Sequence, residues 1–161
     1  MSSERARQLA ASIEAINLEM IQLVRGISEE QWQTQCNDEG DGRSVGVVAH
    51  HVAHGHRYSR EWLETALSGQ DVTVTIDQIN DENAEHAATY HDVGRGETVV
   101  LLETLGRELG DRVAQLSDEE LDRTAFHRGA GREMTVEAFG RVGHRHIAGH
   151  LSTIRKTLDL E

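Results

Sequence analysis

The stretch Val142-Gly-His-Arg-His-Ile-Ala-Gly-His-Leu-Ser-Thr-Ile-Arg155 carries two histidines four residues apart inside an amphipathic pattern. Each helical residue advances about 100°, so side chains at i and i+4 point the same way. Taking His146 as the origin, Val136, Phe139, Gly143, His150 and Ile154 lie on the same side, within about 80°. The spacing predicts a helix whose inward stripe holds His146 and His150, with His144 turned to solvent near Ala148.

A second stretch answers it: Ser44-Val-Gly-Val-Val-Ala-His-His-Val-Ala-His-Gly-His-Arg-Tyr-Ser-Arg-Glu-Trp-Leu63. Its stripe at helical spacing is Val48, Val52, Gly55, Ser59, Trp62 and Ala66, and His51 lies within about 60° of the middle. His50 is predicted to turn to the polar side with Arg57, Glu61 and Glu64, and His54 to sit at the edge. Three inward histidines, His51, His146 and His150, would offer three imidazole nitrogens to a divalent metal and leave a position open, as catalytic zinc sites do. Against this stands the plainer reading of hydrogen-bonded core histidines. His50 and His54, also one turn apart, are the alternative metal pair, on the surface.

Outward from these two segments, the rest of the chain also reads as helix. Leu9, Ile13, Ile16, Met20, Leu23 and Val24 give a helix from Glu4 to Gly26. Ser28-Glu-Glu-Gln31 is a capping box that implies a short turn around Trp32, and Ser44 caps the His51 helix, which runs to Ser68 before Gly69. Asp71 to Ile76 is β-prone but has no evident partner strand, so it reads as an extended crossover. A helical piece starting at Asp77 or Asp81 follows. Gly94 and Gly96 break the pattern there, at about 1 kcal/mol each in a helix interior. Val99, Leu102, Leu105, Leu109, Val113 and Leu116 form the third long stripe, from Glu97 to Leu116. Ser117-Asp-Glu-Glu120 is a further capping box, Asp122 to Arg132 reads as a loop, and Thr135 caps the last helix, which ends at Leu158. The polar runs Asp38 to Asp41 and Asp118 to Asp122 read as solvated turns.

The 161 residues suit a single domain spanning 1–161, and the absence of proline suits long helices. The fold class is therefore all-α, a four-helix bundle with a long crossover between its second and third long helices, a frame in which metal sites are built from side chains on facing helices. With 28 acidic and 16 basic residues the net charge is −12, which repels phosphate backbones and anionic lipid, so neither nucleic acid nor membrane is an expected partner. The single cysteine, Cys36, excludes an internal disulfide. With no leader or long apolar span in view, the expectation is a cytoplasmic protein. Cys36 has no helix start or basic group beside it to lower its pKa, which argues against a nucleophile.

Three anchors carry a resemblance: Ser44-Val-Gly-Val-Val-Ala-His-His-Val-Ala53, the Asp77-Gln-Ile-Asn-Asp-Glu-Asn83 segment after the crossover, and His146-x-x-x-His150-Leu-x-x-Ile154. In their order and separation they resemble the DinB/YfiT-like superfamily of metal-dependent four-helix bundles, which includes mycothiol- and bacillithiol-dependent transferases and the mycothiol-dependent maleylpyruvate isomerase. The resemblance covers nearly the whole chain. It implies a metal held by His51, rather than His50, with His146 and His150; zinc is the first expectation, nickel or iron the others. It also implies a low-molecular-weight thiol cofactor, a small-molecule substrate and a homodimer. Arg43 stands where the family has tryptophan. Ser152 stands where the sulfoxide synthases of ergothioneine biosynthesis have a carboxylate, which argues against that oxygen chemistry.

A divalent cation deprotonates a coordinating thiol without a dedicated base, so the leading expectation is a thiol S-transferase acting on a small electrophile. The alternatives are a metal-dependent hydrolase, which needs an acid/base group besides the three histidines, and a non-enzymatic, stress-related metal-binding or dimeric bundle. No His-Glu-x-x-His motif is present, and no general base is singled out. Asn80 and Asn83 are candidates to orient a substrate, although such residues more often cap helices, and Arg145 is a candidate to meet an anionic one.

Overall fold

The computed structural model describes residues 3–36 and 42–160, so the predicted turn at Asp38 to Asp41 lies outside the described residues. In chain order the elements are α1 (Glu4–Gly26), α2 (Glu29–Gln33), α3 (Val45–Leu67), α4 (Ile76–Thr89), α5 (Arg95–Ala114), α6 (Asp118–Asp122), β1 (Thr124–His127), β2 (Arg132–Thr135) and α7 (Val136–Thr157). The four long helices α1, α3, α5 and α7 form the expected bundle. Both α1 and α3 pack against α5 and α7, which places α1 and α3 on a diagonal.

Hydroxyl side chains start nearly all of these helices. Ser3, Ser28, Ser44, Thr75, Ser117 and Thr135 each accept an orphan amide of the first turn. Such a cap is worth about 1 kcal/mol over alanine. Thr75, Ser28 and Ser117 form full capping boxes with Gln78, Gln31 and Glu120. The crossover helix α4 thus starts one residue before the earlier of the two predicted positions, and α5 begins after Gly94, where the sequence breaks.

Two expectations are corrected. The segment from Asp122 to Arg132 is not a loop throughout: β1 and β2 pair antiparallel, with Ala125 opposite Met134 and Phe126 opposite Glu133. The crossover does find a partner strand. The Val72 amide donates to the Phe126 carbonyl at 2.9 Å, and the Arg128 amide donates to the Val72 carbonyl at 2.8 Å. Ala125 and Met134 tuck one face of this hairpin against the core.

A buried polar bridge ties three of the long helices together. Asn17 of α1 donates from Nδ2 to the Leu102 carbonyl of α5 at 2.9 Å, and its Oδ1 lies 2.9 Å from Nε2 of His56 on α3. Both polar atoms of the buried amide thus have a partner, as burial demands. Gly106 leaves room for the amide, since a Cβ there would lie 2.3 Å from Asn17 Nδ2.

Candidate metal centre

His51 reaches the site from α3, and His146 and His150 reach it from successive turns of α7. One ring nitrogen from each lies within 4.8 Å of the other two. Nε2 of His146 is 3.0 Å from Nε2 of His51, and the ring centroids of the trio are 4.7 to 5.0 Å apart. Two ligand nitrogens on a tetrahedral zinc ion, with Zn–N of about 2.0–2.1 Å, stand roughly 3.3 Å apart. The observed donor set and spacing fit a divalent ion. Gly55, one turn after His51, is what allows the approach: a Cβ there would lie 2.4 Å from Cε1 of His146.

Burial, and then the neighbouring rings of His146, His150 and His86, push the His51 pKa down to about 2. The ring is therefore neutral at physiological pH and keeps a lone pair for a cation. The three rings line a cavity of about 330 Å³. Arg43, Tyr58, Glu82 and Asn83 give it polar walls, and Trp62, Ile79 and Val142 give it apolar ones. Glu82 supplies the carboxylate that the sequence left unassigned; its signal is its place on the same short helix as Asn83, one turn from His86. Arg43, which departs from the family pattern, stands in the cavity wall. Of the other candidates, Asn83 lines the cavity, whereas Asn80 and Arg145 are exposed. Cys36 is fully buried, which removes it from substrate.

The outward placements of His50 and His144 change. His50 does not face solvent: it is completely buried. His56 is nearly so, and His54 is half-buried, as is His144. The single-stripe reading of α3 fails because this helix packs on α5, α7 and α4 together, so most of its circumference is covered. His50 and His54 are joined by His86 of α4 in a second trio, with one nitrogen from each within 4.8 Å. Burial lowers the pKa of His50 and of His86 to about 4 and also lowers that of His54.

The comparisons with known proteins agree with the architecture. The family model of the DinB superfamily matches residues 13–154. Among solved structures, YfiT from Bacillus subtilis, a probable metal-dependent hydrolase with an unusual four-helix bundle topology, superposes with a TM-score of 0.76 at 22 % identity, covering 100 % of this chain and 91 % of that one. No curated protein matches the sequence. Among the described residues, no helix is long and apolar enough to cross a membrane.

Proposed function

The chain belongs to the DinB superfamily, and from that premise we propose that it is a divalent-metal-dependent hydrolase of a small molecule, with His51, His146 and His150 as the metal ligands. The observation that carries this reading is the presence of the Glu82 carboxylate in the same cavity as the three histidines. It supplies the acid/base group that hydrolysis requires beyond the ligands and that thiol transfer to an electrophile does not. The description of YfiT as a probable metal-dependent hydrolase lends support from the same fold.

A bound divalent ion would polarise a carbonyl or phosphoryl oxygen and make water nucleophilic near neutral pH. The chain's own residues do the rest. Glu82 accepts the proton that water gives up and returns it to the leaving group. Arg43 meets an anionic oxygen of the substrate, and Asn83 fixes orientation through its amide. Trp62, Ile79 and Val142 exclude water from one side of the cavity, whose size suits a ligand at the small end of the usual range.

The test is a panel of small esters, amides and phosphoesters, assayed with zinc-loaded protein, with and without added thiol. Turnover without thiol, lost in His51→Ala and reduced about 100-fold or more in Glu82→Gln with zinc content unchanged, is the expected result. Turnover that requires a thiol and ignores Glu82→Gln would replace this reading with S-transfer to an electrophile. Protein that holds zinc and turns over no substrate under either condition would favour a metal-binding bundle without catalysis.

A further inference from the structure

We propose that His50, His54 and His86 form a second site for a divalent transition-metal ion, separate from the first, whose role is to fasten α4 to the bundle. His50 and His54 lie one turn apart on α3, and His86 reaches them from α4. One nitrogen from each falls within 4.8 Å of the others, and Nδ1 of His50 stands 2.9 Å from Nε2 of His86. Tyr90 packs its ring against all three, with centroids 4.3 to 5.0 Å away.

The pair a cation would take is His50 Nδ1 and His86 Nε2, which face each other at 2.9 Å with no other group between them to settle their protons. His50 Nε2 and His86 Nδ1 are buried without a hydrogen-bond partner. If the two neutral rings share one N–H···N bond, either choice of tautomers leaves a bare lone pair on one of these atoms and an unpaired N–H on the other. Buried polar groups stranded in this way cost about 1–3 kcal/mol each. Two imidazoles turned nitrogen to nitrogen in an interior are a poor solution by themselves, and metal coordination is strong enough to outweigh that cost.

His86 is also the one buried residue of α4, a helix otherwise half-buried or exposed. The residue by which α4 grips the bundle is thus a metal-ligating type facing two others of the same type. A cavity of about 320 Å³, lined by His54, Tyr58, Glu82, Glu85, His86 and Tyr90 among others, gives an ion a path in past two carboxylates. Three imidazoles suit zinc, cobalt, nickel or copper, and not the oxygen-seeking calcium or magnesium. Glu82 and Asn83 sit on the same helix and line the first cavity as well. An ion at the second site would therefore hold one wall of the first in place.

The experiment counts zinc. Chelator-stripped protein is reloaded with Zn²⁺, desalted and measured by elemental analysis, with circular dichroism to check helicity and amide exchange read over α4. The parent should hold about two ions per chain, His86→Ala and His54→Ala about one, His150→Ala about one, and His86→Ala/His150→Ala none. Zinc should slow exchange in α4 by about tenfold or more in the parent and in His150→Ala, and not in His86→Ala. A parent with one ion that disappears in His150→Ala and persists in His86→Ala overturns this second site and leaves the first standing. One ion that disappears only in His86→Ala does the reverse. Loss of both ions in His86→Ala with helicity intact, or retention of both, also overturns the proposal. If His86→Ala does not fold, His54→Ala, at a half-exposed position, decides by the same count.

Discussion

Acidification tests the buried bridge between α1, α3 and α5 through His56. Burial holds its pKa down to about 4 against an ordinary value of 6.5. Between these values the unfolded chain takes up a proton that the folded ring refuses. The stabilisation is therefore complete above about pH 6.5, falls as the pH drops toward about 4, and levels off below. By about pH 4.5 most of this loss has accumulated, about 2–3 kcal/mol at 1.36 kcal/mol per unit.

Other buried histidines add to the total slope, so the comparison that isolates His56 is with His56→Gln. Urea denaturation followed by circular dichroism, in the presence of a chelator, gives the free energy at about pH 7.5 and pH 4.5. Near pH 7.5 the variant should be the less stable by about 1–3 kcal/mol, because Asn17 loses its partner. Near pH 4.5 that gap should shrink by about 2–3 kcal/mol, closing or changing sign. Parallel pH dependences in the two proteins would refute the idea that His56 is kept neutral by burial.

Gly55→Ala should drive the His146 ring aside, because the new methyl would lie 2.4 Å from Cε1; zinc affinity at the first site, read by titration, should fall about 10- to 100-fold while the urea midpoint moves little, since a half-buried ring can rotate away. Gly106→Ala meets Asn17 Nδ2 at 2.3 Å with no such exit, and should cost about 2–4 kcal/mol by the same denaturation measurement through overpacking and the broken bridge. Arg25→Gln, by contrast, breaks an exposed 2.6 Å ion pair with Glu103 on the α1–α5 seam and should change stability by less than about 1 kcal/mol, with any effect fading in salt.

The long helices were legible because each carries an apolar stripe and all but α5, which starts at Gly94, begin at a hydroxyl cap: the Glu4 to Gly26 limits of α1 and the Ser117 box are set by local chemistry. The approach of His51 to His146 and His150 was legible for the same reason, since both helices carry the rings on their stripes. His50 and His56 were not. A stripe assumes one buried face, and α3 has neighbours on three sides, among them α4, whose docking no local pattern announces. The hairpin escaped notice because β1 and β2 are four residues each and the third segment of the pairing, at Val72, lies some fifty residues upstream. Nothing in the sequence separates Glu82 from the other acidic residues; only the docking of α4 brings it to the cavity wall.

The diagonal placement of α1 and α3 has a consequence for the order of assembly. In a bundle whose consecutive helices are neighbours, the first two can dock as a hairpin while the rest of the chain is still being made. Here α1 meets neither of its neighbours until α5 and α7 exist, and its bond from the Ser3 amide to the Leu116 carbonyl closes a span of more than a hundred residues. Loops of that length slow the search for native contacts. A chain emerging from the ribosome must carry the apolar stripe of α1 uncovered until α5 arrives, which makes the first half of this protein the part that most needs shielding from aggregation during synthesis.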